Sequence, residues 1–263
     1  MITVRASSLS ELFDCAARWE AKHVKNMRLP RSGAAQLGTA IHAGTAAYDA
    51  SKLSGEGITA DDAAGAVVDA IYRPEEDVEW DADLGPNKAE GIAVALHGKY
   101  CREISPVQDY VGVEVNCDRL TIPDLGLVLT GTTDRVRRSA DGLGVADLKT
   151  GKTAVGADGK VKIAGHGLQL GVYELLASAA IGQPITAPAQ IIGLQTGVTD
   201  KAQRVGIGTI DAARDALVGD HDNPGMLEHA AKLLHSGIFF GNPRSQLCSV
   251  RYCPAYPTCR YRA

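Results

Sequence analysis

Apolar and polar positions follow two different periods along this chain. Up to about residue 105 the apolar side chains recur every three to four residues, the spacing of helices with one buried face. Ser8 or Ser10 is placed to cap a helix running to about Lys25, and the loop Leu29-Pro30-Arg31-Ser32-Gly33 follows. An Ala-rich helix then spans Gly38 to Ser51, a third helix Asp61 to Tyr72, and a fourth Asn87 to Ile104. From Asp109 the period falls to two, with Val111, Val113 and Val115 on one face and Gly112, Glu114 and Asn116 on the other. A second strand from about Leu125 to Arg138, a turn at Ser139-Ala140-Asp141-Gly142 and a third strand from Leu143 to Lys149 complete an antiparallel meander. The pattern then predicts a helix over Gly167–Ile181, strands at Ala189–Gln195 and near Gln203–Thr209, and a helix from Asp211 to about His235. Helices, meander, helix, strands, helix is the order of an α/β core with a helical N-terminal extension.

With 45% hydrophobic side chains, 263 residues are enough for one large core. The first residues lack the apolar stretch of a signal peptide, and no uncharged run is long enough to span a membrane, so a cytoplasmic protein is expected. The net charge of −4 is unevenly spread. Residues 49–83 hold eleven acids against Lys52 and Arg73, whereas the tail 241–263 carries Arg244, Arg251, Arg260 and Arg262 with no acid. Residues 5–31 are also basic, and the two ends, if they meet, would form a positive surface able to hold phosphates.

The third strand ends in Val145-Ala146-Asp147-Leu148-Lys149-Thr150-Gly151-Lys152. Alternation puts Asp147 and Lys149 on one face, an arrangement unfavourable inside a sheet unless the two charges act together. The second strand places Asp134 in the otherwise apolar and β-branched run Leu129–Val136. Neighbouring strands lie about 4.8 Å apart, so Asp134 and Asp147 can approach one oxygen-ligated cation, Mg²⁺ or Mn²⁺. His42 lies on a helix whose small neighbours admit another element, and Gln169 and Tyr173 share one face of the next helix at i and i+4. Glu114 is either a further ligand, an outer acid, or an exposed strand glutamate.

Four segments in series carry a family likeness: Gly38-Thr39-Ala40-Ile41-His42, Gly131-Thr132-Thr133-Asp134, Asp147-Leu148-Lys149-Thr150-Gly151-Lys152, and Gln169-Leu170-Gly171-Val172-Tyr173. Over roughly residues 7–263 the chain resembles the RecB-type nucleases of the PD-(D/E)-x-K superfamily, which include CRISPR-associated and AddB-like exonucleases and phage relatives. The resemblance implies a restriction-endonuclease-like α/β core, a mixed sheet with an antiparallel meander flanked by helices. It also implies that His42, Asp134, Asp147 and the Leu148 carbonyl bind Mg²⁺ or Mn²⁺, that Lys149 assists the attacking water, and that Gln169 and Tyr173 support the site. The expected activity is metal-dependent hydrolysis of DNA, as an exonuclease on single-stranded or unwound ends in recombination, repair or phage DNA processing. A structure-specific endonuclease and a non-catalytic DNA-binding module are the alternatives. A helicase or recombination protein acting in trans, and a homo-oligomer such as the rings some relatives form, are compatible partners.

Cys248, Cys253 and Cys259 give C-x₄-C-x₅-C in a basic, Pro-broken tail, and a fourth ligand would complete either tetrahedral zinc or a cubane cluster. Cys15 is the candidate, since Ser8–Cys15 resembles the N-terminal cysteine segment of iron-sulfur relatives that close a [4Fe-4S] cluster between the chain ends. Zn²⁺ is the alternative, and the C-x₄-C spacing is longer than the C-x₂-C usual there. Cys101 and Cys117 fit no ligand pattern and are expected in the core. The whole chain, residues 1–263, is then one nuclease domain. Residues 1–105 form its helical region, residues 106–240 its catalytic core, and residues 241–263 with Cys15 a clasp. The near P-loop at Ala146–Thr153 is rejected, because Asp147 would sit where backbone amides should attract phosphate.

Overall fold

A computed structural model describes Met1 to Arg262 and shows a mixed sheet between two layers of helices. The meander forms as the pattern requires, with β4 (Asp109–Ile122), β5 (Leu127–Ser139) and β6 (Gly142–Gly151) antiparallel in sequence. β6 continues in parallel to β7 (Ala189–Gln195), and β8 (Val205–Ile210) closes the edge antiparallel to β7. A strand that the periodicity is too short to reveal, β1 (Ile2–Arg5), pairs in parallel with Leu127–Thr130 of β5, and two further short strands, β2 (Arg31–Ser32) and β3 (Val78–Glu79), pair with each other in parallel.

β1 and β6 share one edge of β5, because β4 runs along the whole of the other. Residues 131–134 of β5 lie in the gap between them. Asp134 sits at the end of that gap, and its carboxylate takes the place of a ladder partner by accepting the Leu148 amide at 2.7 Å.

Alternation along β6 and β7 sorts side chains between two cores. Val145 and Ile191 pack with Leu9, Leu12, Trp19, Leu170 and Leu176, beneath α1 (Leu9–Asp14), α2 (Ala16–His23) and α6 (Gly167–Ile181). Ala146, Leu148, Ile192 and Leu194 face the other way, onto Leu37, Ile41, Val67 and Leu96 of α3 (Gly33–Ser54), α4 (Ala60–Tyr72) and α5 (Pro86–Lys99). Cys101 and Cys117 are buried in these cores.

The helices depart from expectation at three places. α3 starts at Gly33, five residues earlier than the pattern suggests, because the Ser32 hydroxyl accepts the Ala35 amide and caps it. The N-terminal helix breaks at Cys15, whose extended backbone (φ −154°, ψ 97°) separates α1 from α2. The stretch from Asp211 to His235 is likewise two helices, α7 (Asp215–Val218) and α8 (Met226–Ser236), divided at Gly219 and Gly225. Neither glycine has room for a side chain, since a Cβ on Gly219 would meet the Gly225 nitrogen at 2.2 Å. Among the described residues no helix is long and apolar enough to cross a membrane.

Candidate metal and catalytic site

The glycines of α3 determine how closely it approaches the sheet on one side and α4 on the other. A Cβ on Gly38 would come within 2.6 Å of the Thr150 hydroxyl, and one on Gly44 within 2.3 Å of Val67. One turn beyond Gly38, His42 therefore stands over the end of the β5 gap, its Nδ1 3.6 Å from Asp134 Oδ2. Glu114 arrives from the far strand. The β4–β5 register sets it beside Asp134, and its backbone adopts φ +46°, a left-handed conformation unusual for a strand glutamate. One ligand atom each from His42, Glu114 and Asp134 lies within 4.8 Å of the others.

Asp147 lies across the strand pair from Asp134, in the register that pairs Arg135 with Ala146. Its carboxylate turns along β6 toward Lys149, with Oδ2 2.6 Å from Nζ, so the two charges do share a face. That contact is an ion pair lacking hydrogen-bond alignment, and Oδ2 is left buried without a hydrogen-bond donor. Lys149 donates instead to Gln169 Oε1 at 3.0 Å. Gln169 in turn donates to the Tyr173 hydroxyl at 3.1 Å and approaches Asp147 Oδ1 at 3.4 Å. The i, i+4 pair on α6 and the Asp147/Lys149 pair on β6 thus form one hydrogen-bonded group. Leu148 lies between, its side chain in the α3-side core and its amide on Asp134.

Burial and like charge decide the electrostatics. Asp147 is 2% exposed, and burial together with the neighbouring Asp134 charge pushes it up to about 6 in spite of Lys149. Burial acts on Asp134 in the same direction, but His42, the Leu148 amide and Lys149 outweigh it and hold this carboxyl below its usual range. His42 is raised, since Asp134, Asp147 and Glu114 overcome its own desolvation, and Glu114 is raised by burial and by Asp134. His166, just before α6, is lowered to about 4 by burial and by Lys149 and Lys162. Two neighbouring buried carboxylates, whose like charges raise Asp147 even beside Lys149, form a site that a divalent cation would stabilise. His42, Glu114 and Asp134 make a donor set of one imidazole and two carboxylates that suits Mg²⁺ or Mn²⁺, while Asp147, drawn toward Lys149, lies outside that group.

Behind the site lies a network that the sequence did not single out. Arg135 is fully buried and donates Nε to Asp49 Oδ2 at 2.8 Å, Nη1 to the Asp134 carbonyl at 2.7 Å and to Glu114 Oε1 at 3.3 Å, and Nη2 to Thr45 at 3.3 Å. Asp49 also accepts from the Tyr100 hydroxyl and, at 2.7 Å, from Ser105. Tyr100 opens a π-helical turn at the end of α5 and meets Tyr110 at 3.0 Å. A signal was present: Asp49 follows His42 by seven residues, two turns on the same helix face, and Arg135 is a charge inside a buried strand.

The four cysteines line one cavity at the chain ends, together with Arg18, Asn242 and Tyr256. The Asn242 amide donates to Cys15 Sγ at 3.4 Å. Cys253 is raised by burial and by the neighbouring Cys15 and Cys259. Tetrahedral zinc with Zn–S of about 2.3 Å needs sulfurs about 3.8 Å apart. Among the described residues no three of these sulfurs come within 4.8 Å of one another.

The family model described as the PD-(D/E)XK nuclease superfamily matches residues 3–260. The chain belongs to that superfamily. Metal-dependent nuclease activity on DNA, with divalent ions such as Mg²⁺ or Mn²⁺, is what membership implies, and the mixed α/β fold agrees with it. No curated protein matches the chain.

Proposed function

We propose that this superfamily nuclease is a Mg²⁺- or Mn²⁺-dependent DNA exonuclease acting on single-stranded or unwound ends. The observation that carries the reading is the buried Asp134/Asp147 pair, met by His42 and Glu114 on one side and by Lys149 on the other. In this reading His42, Asp134, Asp147 and the Leu148 carbonyl hold the ion, with Glu114 as a further ligand. Bound there, the ion would lower the pKa of water and offset charge on the scissile phosphate and the leaving 3′-oxygen. Lys149 supplies a fixed positive charge beside the attacking water, and Gln169 fixes its ammonium. Tyr173 holds Gln169 through its side-chain amide.

Cys15, Cys248, Cys253 and Cys259 would ligate a [4Fe-4S] cluster that clasps the chain ends. Ala146–Gly151 is strand β6, so any unwinding would come from a helicase or recombination partner in trans. Cytoplasmic repair, recombination or phage DNA processing accommodates such a role.

Digestion of 5′- and 3′-end-labelled single and double strands with Mn²⁺ tests the activity. Asp134→Asn and Lys149→Ala should each lower the rate roughly 10²–10⁴-fold in folded protein. Wild-type rates in either purified variant would refute the assignment of roles. Closed circular DNA should persist while linear DNA is consumed; linearised or relaxed circles would identify an endonuclease instead.

A further inference from the structure

The long Cys248-x₄-Cys253 spacing leaves Arg251 and Tyr252 exposed between two cysteines. Both line an open cleft of about 560 Å³, together with Lys88, Lys152, Asp81 and Asp83. Gly38 and Thr150 also line it, one helical turn before His42 and one residue beyond Lys149, so the cleft opens close in the chain to the candidate catalytic centre. Among the described residues one ion pair bridges it, between Arg251 Nη2 on the tail and Asp81 Oδ2 before α5, at 3.0 Å. Both side chains are about half exposed, at 57% and 43%, and such ion pairs in water hold weakly. A phosphate offers the guanidinium a stronger, bidentate acceptor. Lys152 forms no ion pair among the described residues, and Lys88 donates only to the Asp83 carbonyl, at 2.8 Å. The same guanidinium lies over the half-exposed Tyr252 ring, 5.7 Å from its centre, so its move onto a phosphate would free that face for an unpaired base to stack.

We propose that the segment between Cys248 and Cys253 is a clamp for single-stranded DNA. Arg251 exchanges Asp81 for a backbone phosphate, Tyr252 stacks on a base, and Lys88 and Lys152 guide the strand to the catalytic centre. The proposal deepens the nuclease reading and rests on it for the identity of the ligand, yet binding can be measured apart from cleavage. The test uses the full chain with fluorescein-labelled oligo-dT and a matched duplex, by anisotropy in EDTA over a series of salt concentrations.

Arg251→Ala should weaken binding of the single strand roughly fivefold, the ceiling for one exposed charge contact. It should also reduce the slope of log K against log salt by about 0.7, the signature of one lost phosphate on a single strand. Asp81→Asn should act in the opposite direction, tightening binding up to fivefold, because the competitor for Arg251 is gone. Tyr252→Ala should weaken the single strand roughly tenfold and leave the duplex unchanged. Equal weakening by Arg251→Ala and Asp81→Asn would mark the bridge as purely structural and overturn the proposal, as would wild-type binding by both. Arg251→Lys, which retains the charge, should keep the wild-type salt slope and guards against misreading a folding defect. If Asp134→Asn left cleavage intact while these binding changes appeared, the catalytic assignment would fall and the clamp would stand.

Discussion

At the scale of single residues, Asp147 shows most clearly what this site costs the fold. Its carboxylate is buried beside Asp134, and it pairs with Lys149 without full hydrogen bonding. A group that raises its pKa to about 6 on folding is one whose ionised form destabilises the folded chain at neutral pH. Asp147→Asn should therefore stabilise the metal-free protein by on the order of 1–3 kcal/mol at pH 7.5. Adding Mn²⁺ should reverse the order. Wild type, at a hundredfold excess over its Kd, should gain about 2.7 kcal/mol, and the variant much less. Thermal melting in EDTA and in Mn²⁺ measures both effects, and equal metal protection of the two proteins would contradict a ligand role for Asp147. The pairing of Asp147 with Lys149 was legible, because strand alternation alone puts them on one face. The role of Arg135 was not, since a buried arginine is explained only by the Asp49, Glu114 and Thr45 that other stretches of chain bring to it.

Among the elements, α6 is the one that joins the site to the rest of the core. One face carries Gln169 and Tyr173 toward β6, and Glu174 is turned away, 7% exposed, against Arg214 just before α7. Burial pushes Glu174 up to about 7, although the Arg214 charge pulls the other way. The folded chain thus holds this proton more tightly than the unfolded one, whose glutamate titrates near 4.5. Stability from this group is lost as pH rises from about 4.5 to about 7, and the loss is complete above that window. Glu174→Gln should leave the Tm unchanged at pH 4.5 and raise it at pH 8, by roughly 2–4 °C for each kcal/mol relieved. A Tm difference of the same size at both pH values would rule out this source of strain.

Most element types could be read from periodicity, because long helices and a regular meander impose their spacing on the apolar residues. Their ends could not. The break at Cys15 depends on the tail, where Asn242 donates to Cys15 Sγ and to the Asp14 carbonyl, and the Ala17 amide donates to the Phe240 carbonyl at 3.0 Å. β1 is four residues long, and its strand identity comes from Leu127–Thr130 beside it.

For the whole molecule, the chain ends do meet, with one basic residue of the N-terminus buried in the contact while Arg244, Arg251, Arg260 and Arg262 of the tail stay exposed. Arg18 is buried, with Nε on Glu11 and Nη2 on Asp14, each at 2.8 Å, and Nη1 on Ser245 at 3.2 Å. Ser245 also donates to Asp14 at 2.6 Å, and Trp19 stacks on Phe239 with ring centres 6.1 Å apart. Arg18 is the N-terminal basic residue that holds the tail, whereas Lys22 pairs with Glu11 and Lys25 with Glu20. A cluster at the four cysteines would reinforce this closure, since linking distant ends removes entropy from the unfolded chain. Protein purified without oxygen should be brown and carry about four irons. Cys259→Ser should lose the colour and iron and lower the Tm, while metal-dependent cleavage by any folded fraction persists. Colourless protein with one zinc per chain would exclude the iron-sulfur cluster.

The sequence alone determined the composition of the site: two acids and a lysine on neighbouring strands, a histidine on a glycine-lined helix, and four cysteines at the ends. These follow from local rules, strand alternation and helical repeat, that act within a few residues. Only the tertiary structure decided which of them meet. The gap in β5 aims Asp134 at the Leu148 amide, a left-handed turn brings Glu114 beside His42, and the tail lays Arg251 against Asp81 across the cleft. Such contacts join residues far apart in the chain, and their geometry is fixed by how whole layers pack.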